Sequence, residues 1–400
     1  MGFVCTHLSR ASKFSNSRVL LLSESERGST MSDYLPEEVL TDIFTRLPIK
    51  TLLQIRCACK SWYALITSPN FIQHVNRTLA HNTPPLLLLR YCIDNKEHYT
   101  VHCDDETFVQ CRPLDSAFDH SPISYFRILG SCNGLICLYD SDGPTEIIIL
   151  WNPAIDKSVT LRIESNSKGC AFGFGFDSRT NDYKVVRLVY VHDSSFDYSV
   201  RPEVDVYELS TGIWRRWRRG IGSAPPPPCH IILCQWSHVF VNGASHWIAL
   251  NGSVGLWNKI WYLILSFDMG TEVFTEMMLP SGIANGCELK VSIALFGESL
   301  SLFCYDDGFS STSIHCCIWV MKEYGVASSW TKLCTVDIGG ICQVLGFRKT
   351  GEVLVEKRNG RLVSYDPETK EVVDTGIRGH RSSFHLYTYV ESMVLLGRKK

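Results

Sequence analysis

Four hundred residues with a formal net charge of −2 set up no global field that would recruit nucleic acid or an anionic membrane. Hydrophobic residues at 45% and charged residues at 20% are the proportions of an ordinary globular chain, long enough for more than one domain. The longest apolar run near the middle, Ile260 to Phe267, falls far short of the roughly 20 residues of a spanning helix, so no transmembrane segment is expected.

Residues 1–30 read as a disordered leader. Ser and Arg are frequent, no acidic residue precedes Glu24, and the apolar run Val19 to Leu22 is too short for a signal-peptide core. Met1-Gly2 with Thr6 formally matches a myristoylation pattern, and Cys5 could take a second chain. The leader reading is preferred because so short a pattern is common by chance. Met31 is a plausible functional start.

Residues 31–76 then read as short helices. Pro36 is assigned to the first helical position, with Glu37 and Glu38 at the positive end of the macrodipole. Leu35, Val39, Leu40, Ile43, Phe44 and Leu47 recur at helical spacing and form one wide apolar face. Pro48 ends that helix. Ile49, Leu52, Leu53 and Cys57 mark a second helix, and Trp62, Leu65 and Ile66 a third. Ser68-Pro69 is an N-cap with proline behind it, opening a fourth through Phe71 and Val75. So small a bundle buries little by itself, and part of its apolar face needs a partner. Residues 77–85 read as a linker.

From Leu86 the period changes to alternation, over a domain spanning 86–396 and a tail at 397–400. Strands are expected at Ile128–Leu138, Glu146–Trp151, Ala171–Phe176, Lys184–Val191, Val204–Leu209, Val239–Leu250, Trp261–Phe267, Leu300–Tyr305, Ile314–Met321, Val353–Val355 and Leu362–Tyr365. A weak repeat runs through them. Trp151, Tyr207, Phe267, Trp319 and Tyr365 recur every 45 to 60 residues or so, most of them before a polar turn-starter and a further strand. That is the period of a four-stranded propeller blade, and an earlier unit at Tyr99 to Leu114 makes about six blades. Pro225 to Pro228 reads as a spacer. The fold expected is a small helical domain followed by an all-β, propeller-like domain.

The seventeen cysteines are odd in number and irregularly spaced, unlike a secreted disulfide framework. Cys137, Cys234 and Cys304 sit among apolar neighbours and read as small buried hydrophobes in a reducing compartment. His98, His102 and Cys103 lie in strand-like sequence, where their spacing does not converge as on a helix, so no metal site is assigned.

The motif Leu35-Pro36-Glu37-Glu38-Val39-Leu40, with Leu47-Pro48 and Cys59-Lys60-Ser61-Trp62, resembles an F-box. Downstream, Ser131-Cys132-Asn133-Gly134, Leu150-Trp151-Asn152-Pro153, Phe172-Gly173-Phe174-Gly175-Phe176-Asp177, Asn181-Asp182-Tyr183-Lys184, Val241-Asn242-Gly243-Ala244 and Tyr389-Val390-Glu391-Ser392 resemble the F-box-associated interaction domain, a kelch-like domain of plant F-box proteins. Kelch double glycines are nearly absent, Gly339-Gly340 being the one instance.

The resemblance implies a substrate-recognition subunit of a Skp–cullin–F-box ubiquitin ligase in the cytoplasm and/or nucleus. Its partners would be the Skp adaptor, through it a cullin–RING ligase, and a protein substrate; nucleic acid, membrane and cofactor are not expected. The docking contacts implied are Leu35, Pro36, Ile43, Leu47, Pro48, Leu52, Leu53, Ala58 and Trp62, with Ile43 and Trp62 also candidates for the bundle's own core. Ala58 stands where valine is more usual in the family, and Ser178 where proline is common. Alternatives are a non-degradative scaffold of the same fold and a carbohydrate-binding or oxidase-like propeller.

No Gly-x-Ser-x-Gly elbow, phosphate loop or His-Glu-x-x-His occurs in the sequence. Gly173-Phe-Gly175 lacks the third glycine of a dinucleotide loop and reads as a strand, so the protein is not expected to be an enzyme. Trp214, Arg215, Arg216, Trp217, Arg218 and Arg219 interleave charge with aromatic rings and form a candidate partner-binding patch. The preferred reading of that patch is a solvated strand end.

Overall fold

Two Leu-Pro pairs start the helical region in a computed structural model. It describes residues 35–82, 86–105, 107–114, 126–140, 145–164, 170–190, 202–217, 230–232, 238–251, 261–284, 290–306, 314–394 and 396. Four helices follow one another: α1 (Glu37–Thr45), α2 (Ile49–Ile55), α3 (Lys60–Thr67) and α4 (Pro69–Asn82). Pro36 is the N-cap of α1 rather than its first helical residue, and its carbonyl accepts from the N–H groups of Val39 and Leu40 at 3.0 and 3.1 Å. Pro48 caps α2 in the same way, accepting from Leu52. Ser68 Oγ accepts from Phe71 N at 3.2 Å, as expected of an N-cap. The fourth helix runs on through residues 77–82, so most of the expected linker is helical. No proline interrupts that stretch before Pro84.

The β domain begins with β1 (Leu86–Ile93), β2 (Lys96–Cys103) and β3 (Gln110–Pro113). The second sheet is β4 (Arg127–Cys132), β5 (Leu135–Asp140), β6 (Thr145–Asn152) and β7 (Lys157–Glu164). The third is β8 (Cys170–Asp177), β9 (Asp182–Val189), β10 (Glu203–Glu208) and β11 (Ile213–Trp217). The fourth has β12 (His230–Ile232) and β13 (Val239–Val241) both paired with β14 (Ala244–Asn251), then β15 (Trp261–Asp268) and β16 (Phe274–Met278). The fifth is β17 (Lys290–Phe296), β18 (Ser299–Asp306), β19 (His315–Met321) and β20 (Trp330–Val336). The sixth is β21 (Ile341–Phe347), β22 (Val353–Lys357), β23 (Arg361–Tyr365) and β24 (Val372–Arg378). The last strand, β25 (His385–Tyr389), returns to pair antiparallel with β1, Tyr389 opposite Leu86. The C-terminus thus supplies the innermost strand of the first blade and closes a ring of six.

The repeat has a structural meaning. Tyr99, Trp151, Tyr207, Phe267, Trp319 and Tyr365 lie in β2, β6, β10, β15, β19 and β23, the third strand of each blade. Alternation puts one face of every blade against its predecessor and the other against its successor. Six apolar cores result, one at each blade junction, from Tyr99 and Trp151 between the first two blades to Leu87, Leu354 and Phe384 between the last and the first.

Two expected strands are corrected. Ile128–Leu138 and Val239–Leu250 are each a hairpin, folded at Asn133-Gly134 and Asn242-Gly243. All four turn residues have positive φ, at 48° and 80° in the first turn and 51° and 75° in the second, as a two-residue mirror-image turn requires. The other expected strands lie within two residues of their observed limits. Among the cysteines, Cys137 and Cys304 are buried free thiols as expected, but Cys103 is disulfide-bonded to Cys111 across the β2–β3 hairpin. His98 stacks on Tyr91, and His102 sits 2.9 Å from Thr100 Oγ1. Residues 1–34, Pro225–Pro228, Cys234 and the tail lie outside the described residues.

Candidate functional site

The wide apolar face expected on α1 is two faces. Leu40 and Phe44 point into the bundle and are buried, Phe44 meeting Trp62 edge-on at 5.0 Å between ring centres. Leu35, Val39 and Ile43, four residues apart, make a second stripe and are 38%, 41% and 44% exposed. Val39 and Ile43, spaced by four on α1, lie above one another, and Leu35, the non-helical residue before the Pro36 N-cap, adds a third exposed apolar side chain to this ridge.

The other expected docking residues fall into three groups. Pro36, Pro48 and Ala58 are exposed, and Leu47, Leu53 and Trp62 are partly covered. Leu52 is the correction. It is wholly buried among the bundle's own side chains, because α2 turns that position inward, and no partner reaches it without opening the bundle. Tyr63, 56% exposed on α3, is an apolar surface position that the sequence pattern did not single out.

The bundle is also seated on the propeller. Ala154 and Ile155, in the turn between β6 and β7, share its core with Met393 from beyond β25. Met393 N donates to Asn76 Oδ1 of α4 at 3.0 Å. The same segment is held from beneath by Asn152 of the Trp-Asn-Pro motif. Its amide nitrogen donates to the Ser392 carbonyl at 3.1 Å, Ser392 Oγ at 3.3 Å and the Val394 carbonyl at 3.0 Å. Its Oδ1 accepts from Ala154 N at 3.0 Å, the local turn expected of the motif. The carboxy-terminal strap is therefore clamped between helices and second blade, a contact no local sequence signal announces.

The arginine–tryptophan patch is largely answered from within the propeller. Arg215 pairs with Glu208 at 3.2 Å and with Glu272 of the next blade at 2.6 Å. Arg216 pairs with Asp205 at 2.9 Å and Glu203 at 3.8 Å. The hydrogen bond to Glu272 raises the Arg215 pKa above its ordinary value, and the bond to Asp205 does so for Arg216. Trp214 packs on Tyr207 at 5.4 Å. Arg218, Arg219 and the Trp217 side chain lie outside the described residues. Exposed ion pairs of this kind contribute about 0–1 kcal/mol each. Replacing Arg215 and Arg216 together with Gln removes all four pairs and is accordingly expected to lower thermal stability by no more than about 4 kcal/mol, as read by calorimetry.

Comparison with known proteins bears on both regions. The F-box domain family matches residues 33–74, and the F-box associated beta propeller domain family matches residues 100–394. The F-box protein CPR1 of Arabidopsis thaliana is 31% identical over 389 residues, spanning 90% of this chain and 89% of its own length. An F-box/kelch-repeat protein of the same plant is 27% identical over 85% of this chain and 93% of its own. A further Arabidopsis F-box protein is 28% identical over 90% and 91%.

Proposed function

The chain belongs to the F-box proteins that carry an F-box-associated β-propeller, and on that premise we propose that it is the substrate-recognition subunit of a Skp–cullin–F-box ubiquitin ligase. The helical bundle docks on the Skp adaptor, and the propeller captures the protein to be ubiquitinated. The role asks for no catalytic residue here, because the ubiquitin thioester is carried by another subunit.

The observation that carries this reading is the open ridge of Leu35, Val39 and Ile43. The bundle fills its own core with Leu40, Phe44, Leu52 and Ile66, and its seat on the propeller uses Ala154, Ile155 and Met393. The ridge takes part in neither. Covering large apolar side chains gives about 1.5–3 kcal/mol each, so three of them with the flanking prolines form the centre of a tight interface.

The test is capture of a purified Skp adaptor by the full-length protein and by a Val39→Glu/Ile43→Glu variant. Both positions are solvent-exposed, so the variant should melt with the parent. Its affinity should fall by about 3 kcal/mol or more, roughly a hundredfold or beyond. Parental affinity in the variant would refute the proposed docking face.

A further inference from the structure

The innermost strands of five blades, β4, β13, β17, β21 and β25, surround a cavity of about 570 Å³. That volume lies within the range of small-molecule sites. Its walls are mostly apolar, among them Phe240, Tyr262, Leu295, Phe303, Phe347 and Leu386. The third blade contributes no residue to this lining, and the glycines of β8 face the fourth blade. Phe240 lies against Gly175, and a Cβ there would come within 2.3 Å of its ring.

Polar groups interrupt the apolar wall, among them Ser131, Ser292, Gln343, His385 and Thr388, and two more are Lys290 and His238. Lys290, the first residue of β17, lines the cavity and is exposed, which puts it at the mouth. It forms no ion pair among the described residues, and its ammonium lies 5.5 Å from the centre of the Tyr305 ring. The buried Glu356 senses its charge. That carboxylate is already engaged by Gln343 Nε2 at 2.6 Å and Ser382 N at 2.5 Å.

His238 is the second group. It lines the cavity and is 7% exposed. Its Nε2 lies 3.0 Å from Phe174 N and 3.3 Å from the Phe174 carbonyl oxygen. Nδ1 is buried and has no hydrogen-bond partner among the described residues. Burial depresses the imidazole pKa to about 4, so the ring is neutral near pH 7.

The spacing of the two groups follows from strand register. Phe296 and Val241 each end an innermost strand at its hairpin, opposite Ser299 and Ala244. Counting back from these ends places His238 level with Ile293, three residues deeper than Lys290. Three residues of strand are about 10 Å. The cavity therefore offers a cation at its mouth and, about 10 Å further in, mostly apolar walls beside a neutral imidazole. A neutral apolar guest would leave Lys290 unused, and a multiply charged phosphate would meet a single unpaired cation.

We propose that the propeller channel binds a small organic carboxylate with an aromatic body, its carboxylate at Lys290 and its body running inward toward His238. This is independent of adaptor docking. The probe is biphenyl-4-carboxylate, titrated calorimetrically into the purified full-length protein, with neutral biphenyl-4-carboxamide as its comparison. Saturable binding of one carboxylate per chain is expected, at least tenfold tighter than the amide. Lys290→Met should weaken the carboxylate at least tenfold and leave the amide unchanged, while Lys290→Arg stays within about threefold of the parent. Lys290 is exposed, so both variants should melt with the parent. Absence of saturable carboxylate binding, or equal affinity in Lys290→Met, overturns the proposal and leaves the ligase reading untouched.

Discussion

Gly173→Val is expected to destabilise the propeller by about 2–4 kcal/mol and to lower its melting temperature by roughly 5–10 °C. Strand β8 reads Phe172-Gly173-Phe174-Gly175-Phe176. Alternation sends Phe172 and Phe174 into the core between the second and third blades and turns the glycines toward the fourth. A Cβ on Gly173 would lie 2.5 Å from Trp247 Cζ2 and 3.0 Å from Ser245 Oγ. Trp247 is fully buried and cannot step aside freely. Its indole N–H donates to the Phe172 carbonyl at 2.7 Å, so moving the ring exposes an overpacked site and breaks a buried hydrogen bond. Gly282→Ala is the control, since nothing lies within 4 Å of a Cβ there. A Gly173→Val protein that melts within a degree of the parent would mean that the blade junction is looser than these contacts require.

The same strand shows how unevenly the chain can be read. Its glycines were legible as small residues in a strand, but the rings they accommodate come from β13 and β14, more than 60 residues away. Helix limits were legible because Pro36, Pro48 and Ser68 act on their immediate neighbours. The third strand of each blade was legible because a large aromatic recurs there. Of the innermost strands only β8 was. β12, β17, β21 and β25 escaped notice, and β4 and β13 were merged into their hairpin partners although Asn-Gly is a strong turn signal. These strands are short or mixed in composition, as Ile341-Cys342-Gln343-Val344-Leu345-Gly346 illustrates, because they border a cavity on one side. Closure by β25 is a pairing between residues about 300 positions apart, which no local pattern encodes. On α1, spacing identified the apolar residues but could not say which neighbours cover Leu40 and Phe44 and leave Val39 and Ile43 bare.

The strap beyond β25 is where this long-range closure meets the helices, and Asn152→Ala tests it. Asn152 is wholly buried and joins four groups, donating to Ser392 O, Ser392 Oγ and Val394 O and accepting from Ala154 N. Alanine removes all four bonds and provides nothing in exchange. Each buried polar group left without a partner costs about 1–3 kcal/mol, so the clamp is expected to lose about 3–5 kcal/mol. The loss should stay on this side of the propeller, because Val394 and Leu396 of the strap pack on the core between the second and third blades and the junction cores of the fifth blade contain no strap residue. With the strap released, Met393 leaves the bundle core and its N–H leaves Asn76. Amide exchange should then accelerate in α4 and residues 390–394 while β18 and β19 keep their protection. Adaptor affinity should be retained, because Leu35, Val39 and Ile43 take no part in the core shared with this seat and helix α1 is capped by its own Pro36. Unchanged exchange in α4 would show that the helices hold their place on Ala154 and Ile155 alone, without the strap.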